Sequence, residues 1–188
     1  MIKISILTSH YGSTVDLKKC INSVQKEISR NQSFSVEQLV FIDGLEGKNL
    51  NILQNIDKWK DKLVNTMFMV SSVNVGKSAA LNHLLEKVDS DIVMFLDSDD
   101  LFLPGKIYNQ CQFLNRCANT AIGSHYYIYN AKDYTFNPIS QPTSESLIRS
   151  LFVFYPGILF SSLALKLTDI YKYNLFFAER IRGGIDYD

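Results

Sequence analysis

The first hundred positions alternate between two kinds of hydrophobic pattern. Short apolar, β-rich runs at Ile2 to Leu7, Val36 to Ile42, Met67 to Val70 and Ile92 to Leu96 read as strands. Between them, Val15, Leu17, Ile21, Val24 and Ile28 recur at helical spacing, which predicts an amphipathic helix over residues 14–30. Ser13 or Thr14 is its expected N-cap. Leu50, Leu53, Ile56, Trp59 and Leu63 mark a second helix. Ala80, Leu81, Leu84, Leu85 and Val88 mark a third, over residues 77–88. Strands alternating with helices predict an α/β fold, a mostly parallel sheet with helices on both faces.

The second half is less regular. Pro104 suits the first turn of a helix carrying Ile107, Cys111 and Leu114. Ala121 to Tyr129 reads as a strand, Lys132 to Ser144 as a polar loop, and Glu145 to Phe152 as a short helix. Gly157 to Ser161 reads as a strand, followed by a helix from Ser162 to Ile170. Arg180 to Gly184 reads as a basic loop.

The fourth strand runs straight into Asp97, Ser98, Asp99 and Asp100. Carboxylates this close repel one another unless a cation or partner charge neutralises them. Ligands of open α/β sheets bind outside the carboxyl ends of the strands. Asp97 and Asp99 are therefore candidates to hold a divalent metal with a phosphorylated ligand. A cap for the next helix is the plainer alternative. Polar residues follow the other strands too: Thr8 to Tyr11, Asp43, and Asn74 to Lys77 with Gly76 among them. In a parallel sheet these ends converge. Tyr11 is placed to stack on a base, Asp43 to accept from a ring N–H or ribose hydroxyl, and Lys77 to meet a phosphate near a helix N-terminus. Diphosphate oxygens would complete a Mg²⁺ or Mn²⁺ shell. Gly76-Lys77-Ser78 also resembles the end of a P-loop, but the earlier glycine of that motif is replaced by Ser71.

Bulk composition narrows the classes. At 188 residues and 46% hydrophobic content, the chain reads as one globular domain over residues 1–188. Lys+Arg and Asp+Glu balance at 19 each, which removes the electrostatic case for a nucleic-acid partner. Of the three cysteines, Cys20 and Cys111 fall on apolar helical faces, as expected for free buried thiols in a reducing compartment. No secretory leader is expected, and the longest apolar stretch, Leu151 to Phe160, is too short to cross a bilayer and is broken by Pro156-Gly157.

Taken together, Ile4 to Thr8 with Tyr11, Val40 to Gly44, Asn74 to Asn82, Phe95 to Asp100 with Pro104, and Gly184 to Asp188 resemble the family-2 nucleotide-sugar glycosyltransferases of the GT-A fold. The resemblance spans nearly the whole chain in the family's order, and it implies a nucleotide-sugar-binding half over residues 1–100 and an acceptor-side half over residues 101–188. It implies a Rossmann-like three-layer α/β/α sandwich that moves a sugar, hexosyl or N-acetylhexosaminyl, from a nucleoside diphosphate, UDP favoured. The acceptor would be a glycan or a lipid-linked saccharide, and the configuration would invert. It further implies that Thr8, Tyr11 and Asp43 hold base and ribose, with Asn74, Gly76, Lys77 and Ser98 lining the donor site. Asp97 would lie near the ribose, Asp99 would bind Mn²⁺ or Mg²⁺, and Asp186 would be the general base. The implied setting is cytoplasmic, including the inner face of the membrane, in bacterial surface polysaccharide synthesis.

Several positions depart from the family. Ile185 stands where Glu is common, and Gly44 replaces a second carboxylate. His10 and Tyr11 both remain candidates for the base-stacking residue, and Glu179 rivals Asp186 as base. Family members continue beyond the Asp186 region with helices that close the acceptor site, so a chain ending at Asp188 is expected to be a truncated piece, a natural fragment or a protein that relies on another chain. Arg180 and Arg182 read as phosphate contacts or as an exposed loop. Of Tyr126, Tyr127 and Tyr129, two are expected to pack and one to face an acceptor. Leu151 to Tyr155 reads as core, with a lipid-linked acceptor as the alternative. A nucleotide-sugar-binding module without turnover and a P-loop nucleotide hydrolase are the competing functions.

Overall fold

The computed structural model describes residues 1–30, 33–45, 51–116, 121–144 and 158–179. The first four strands are β1 (Ile2–His10), β2 (Phe34–Asp43), β3 (Thr66–Ser71) and β4 (Ile92–Phe95). Between them lie helices α1 (Thr14–Arg30), α2 (Ile52–Trp59) and α3 (Lys77–Leu85). Then come α4 (Lys106–Arg116), β5 (Ala121–Ile122), β6 (Tyr126–Asn130), β7 (Thr135–Ile139), β8 (Ala164–Lys166) and α5 (Leu167–Lys172). The central sheet has six strands in the order β3-β2-β1-β4-β8-β5. β1 to β4 are mutually parallel, and β8 runs antiparallel to both β4 and β5.

The period-two pattern of each strand assigns its two faces. Ile4, Ile6, Met94 and Leu96 pack with Cys20 and Val24 of α1 and with Ile107, Cys111 and Leu114 of α4. Val40 and Ile42 meet Leu17 and Ile21 of α1 and Ile52 and Ile56 of α2 on that same side. Leu7, Leu39, Phe41, Val93 and Phe95 face Leu81, Leu84 and Leu85 of α3 and Leu167 and Ile170 of α5. The result is the expected three-layer α/β/α arrangement. All four residues of β4 are buried, as a strand covered on both faces requires.

Local chemistry explains the element ends. Ser13 Oγ accepts the Asp16 N–H at 3.4 Å and starts α1, whose first turn carries Asp16 and whose last turn carries Arg30. Cys20 and Cys111 are free and buried, and burial pushes both thiols up to about 12. Gly105 adopts φ 84° just before α4, a conformation that favours glycine.

The second half departs from expectation in three places. The strand expected over residues 121–129 breaks at Gly123 into β5 and β6. A Cβ at Gly123 would lie 2.6 Å from Ile158 Cγ2, so the close crossing there requires glycine. The expected polar loop contains β7, which among the described residues pairs only with β6 as a two-stranded ribbon. Because that ribbon lies outside the main sheet, Tyr127 and Tyr129 are about half exposed, which corrects the expected packing of two of the three tyrosines. Residues 160–162 form a 3₁₀ turn, the strand comes later as β8, and α5 starts at Leu167. Leu53 of α2 is also turned outward. Residues 145–152 with their expected helix, Leu151 to Tyr155, Cys117, Arg180, Arg182 and Asp186 lie outside the described residues.

Candidate functional site

The parallel register brings the strand ends to one edge. His10 pairs with Ile42, Leu7 with Phe95, and Asp43 with Ser71. Four of the segments singled out in the sequence therefore meet at the carboxyl edge of β1 to β4.

Asp43 is buried at the end of β2. Its Oδ1 accepts the Val75 N–H at 2.6 Å and its Oδ2 accepts the Gly76 N–H at 3.0 Å. The carboxylate thus fixes the loop entering α3. Gly44, at φ 90°, lets the chain pass Asn74, since a Cβ there would stand 3.1 Å from the Asn74 N. Gly76, at φ 93°, occupies the N-cap position of α3. In a P-loop the corresponding amides would turn to an anion; here those of Val75 and Gly76 are taken by Asp43, which argues against that alternative.

The acidic turn follows β4. Lys77, the first residue of α3, places its Nζ 2.8 Å from Asp97 Oδ1. The same ammonium lies 4.3 Å from the centroid of the Phe160 ring. Burial raises the Asp97 carboxyl above its ordinary range, and Lys77 opposes that rise. Burial likewise raises Asp100, opposed by a hydrogen bond from Ser161. Ser161 Oγ also accepts the Asp97 N–H at 3.0 Å. Asp99 is exposed and makes no hydrogen bond or ion pair among the described residues.

The end of β1 divides into buried and open positions. Thr8 is fully buried, and its hydroxyl accepts from Gln38 Nε2 at 3.1 Å. Any part it plays is therefore through packing beneath the edge. His10 is 1% exposed, with Nδ1 2.9 Å from Ser98 Oγ and Nε2 buried without a partner among the described residues. Burial lowers its pKa to about 4, so the ring is neutral at pH 7. Tyr11 is half exposed at the rim, which leaves it, rather than His10, open to a stacking ligand.

Two further contacts were not anticipated. The turn Phe160–Ser162 supports the acidic segment through Phe160 and Ser161, while the Ser162 carbonyl accepts from Lys106 Nζ at 3.2 Å and Gln110 Nε2 at 2.7 Å. Burial brings Lys106 down to about 7. Asn82, on α3, accepts the Phe177 N–H at 2.9 Å and donates to the Phe177 carbonyl at 2.9 Å and to Glu179 Oε1 at 3.0 Å. It ties the segment leading toward Asp186 to the same helix that carries Lys77. A polar residue amid the apolar positions of that helix was the available signal. Glu179, the rival base, is exposed and spends a carboxylate oxygen on Asn82.

Among the described residues, no group of three or more His, Cys, Asp or Glu is arranged to hold a metal ion. A magnesium-type site often takes one or two carboxylates and leaves the rest of the shell to water and substrate phosphates. Asp99, open beside an Asp97 that already carries a cation, fits such a one-carboxylate site. Two surface hollows lie elsewhere. One sits by the opposite ends of β1 to β3, around Lys3, Glu37 and Asp89, and the other lies between α1 and α2, around Gln25 and Trp59. Neither gathers the strand-end residues.

Known proteins match this architecture. The model of the family described as glycosyl transferase family 2 matches residues 5–176. An uncharacterized glycosyltransferase of Haemophilus influenzae is 40% identical over 85 residues, covering 45% of this chain and 33% of that protein. The crystal structure of S. aureus TarS 1–349 in complex with UDP superposes with a TM-score of 0.73 at 18% identity, covering 99% of this chain and 53% of that one. Mannosyltransferase PcManGT from Pyrobaculum calidifontis, in complex with GDP-Man and Mn²⁺, gives a TM-score of 0.68 at 13% identity, covering 98% and 49%. The chain thus spans about half the length of these solved structures, and the fold they share is GT-A.

Proposed function

This chain belongs to glycosyl transferase family 2, and on that premise we propose that it transfers a sugar from a nucleoside diphosphate, UDP favoured, to a hydroxyl of a glycan or lipid-linked acceptor. The observation that carries the reading is the meeting of Lys77 and Asp97 at the sheet edge where Asp43 clamps the 74–76 loop. Binding of UDP and of GDP-Man by the two solved neighbours supports a nucleotide sugar as the donor class.

In this reading Tyr11 stacks on the base at the open rim. Asp43 acts through the loop it holds, so that Asn74 and Gly76 shape the donor groove. Lys77 meets the diphosphate, and Asp97 and Ser98 lie on the ribose side. Asp99 is the protein ligand of a Mn²⁺ or Mg²⁺ ion. When bound, that ion offsets negative charge on the departing diphosphate. Asp186 takes the proton from the acceptor hydroxyl. The hydroxyl oxygen forms its bond to the anomeric carbon as the bond from that carbon to the diphosphate oxygen breaks on the other face. One displacement inverts the centre and releases the nucleoside diphosphate. Asn82 anchors Phe177 and Glu179, which precede Asp186 in the sequence.

Asp186→Asn tests the role of the base. It should bind UDP–Mn²⁺ as the wild type does and lose transfer. Normal transfer by that variant removes Asp186 from the mechanism. Tight donor binding by the wild type with no transfer to any acceptor mixture would instead favour a binding module.

A further inference from the structure

We propose that Lys77 is a resident counter-cation of the acidic turn, which keeps a divalent metal out until a nucleotide diphosphate arrives. The inference rests on the donor-site reading above and adds an order of binding to it. Asp97, Asp99 and Asp100 crowd one short turn and need a positive charge nearby. The molecule supplies one itself: the Lys77 ammonium lies 2.8 Å from Asp97 Oδ1.

That ammonium is seated rather than loose. Lys77 opens α3, so its backbone is fixed by the helix and by the Asp43 clamp one residue earlier. The Phe160 ring lies 4.3 Å beneath its Nζ. Phe160 is itself 5% exposed, wedged against Phe95 at 4.8 Å and Phe177 at 5.8 Å between ring centroids. A ring face held this way attracts a cation and restricts where it can go. The neighbouring Ser161 holds the Asp97 N–H and the Asp100 carboxylate, so the acidic turn is fixed against the same support.

Two cations compete for this turn. With the ammonium on Asp97, an incoming divalent ion finds one open carboxylate, Asp99, and a positive neighbour that repels it. A diphosphate changes both conditions. Its oxygens give Lys77 a new anionic partner and give the metal additional oxygen ligands. Nucleotide and metal should therefore bind with positive coupling, and by linkage each should strengthen the other by the same factor. Removal of the Lys77 charge should let the metal bind alone and should weaken that coupling.

The test titrates Mn²⁺ alone, UDP alone and UDP in the presence of Mn²⁺ into the whole chain and into Lys77→Met and Lys77→Arg, by calorimetry. Circular dichroism melting confirms that each variant is folded. Lys77→Met should bind Mn²⁺ alone about tenfold or more tighter than wild type, a change of about 1.4 kcal/mol or more. Lys77→Arg, which keeps the charge, should stay near wild type. A folded Lys77→Met that binds Mn²⁺ alone no tighter than wild type overturns the inference. If wild type then still binds UDP with Mn²⁺, the donor-site reading stands without it. Failure of wild type to bind UDP at all, with or without Mn²⁺, overturns both.

Discussion

The Asp43 carboxylate and the Gly76 backbone N–H meet at 3.0 Å, and the other carboxylate oxygen takes the Val75 N–H at 2.6 Å. The end of β2 thereby sets the start of α3 and the position of Lys77. Asp43→Asn replaces one acceptor with a donor that faces an N–H. It should cost about 1–3 kcal/mol of local order and weaken UDP binding at least tenfold, read by calorimetry. Unchanged affinity would mean that the loop does not shape the donor groove.

Ser161 carries two duties within one hydroxyl, as acceptor for the Asp97 N–H and donor to Asp100. Ser161→Ala leaves both groups without that partner. It should lower stability by about 1–3 kcal/mol in urea unfolding and weaken donor binding while leaving the fold intact by circular dichroism. Full donor affinity in the variant would reduce the turn at residues 160–162 to a packing element.

His10 gives stability a pH dependence of definite sign. Its ring stays neutral down to about 4, whereas the unfolded chain takes up the proton near the ordinary 6.5. Between those values the unfolded state binds more protons, so stability falls as the pH drops through that window, by about 3 kcal/mol. His10→Gln should lose this component, so its stability should fall less than that of wild type between pH 7 and pH 4 in urea melts. Parallel curves for the two proteins would contradict the buried neutral ring.

Glu27 is 1% exposed on α1 and accepts the Gly105 N–H at 3.0 Å and the Ile107 N–H at 3.3 Å. It caps α4 from another helix, which suits a negative charge at a helix N-terminus. Glu27→Ala should destabilise the protein by about 2–4 kcal/mol, measured by the urea midpoint. A loss below about 0.5 kcal/mol would show that water replaces the cap at no cost.

The donor edge was legible because each buried strand ends where apolar residues give way to polar ones. Asp43, Asn74 to Lys77 and Asp97 to Asp99 could be placed on one edge from strand order alone. Their partners were less accessible. That both oxygens of Asp43 hold backbone amides depends on how a loop folds back across 32 and 33 positions. Thr8 seemed a ligand contact, yet it alternates with Ile4 and Ile6 and shares their burial. The same spacing rule, applied more strictly, would have found Glu27. It follows Cys20 and Val24 at helical spacing, and so is a polar residue on a core face. Gln110 stands likewise among Ile107, Cys111 and Leu114. Nothing local marks Phe160 and Ser161 as supports of Asp97; that contact closes over 64 residues and exists only in the fold. The ribbon of β6 and β7 was missed because Pro138 and the polar residues around it read as a loop, while a two-stranded edge tolerates them.

The central claim is that the edge bearing Asp97 and Asp99 holds a nucleoside diphosphate together with a metal. Calorimetry of UDP binding, with and without Mn²⁺, to wild type and to Asp99→Ala tests it most directly. Wild type should bind UDP more tightly when Mn²⁺ is present, and Asp99→Ala should lose that gain while remaining folded. Asp99→Ala binding UDP–Mn²⁺ as tightly as wild type would contradict the account.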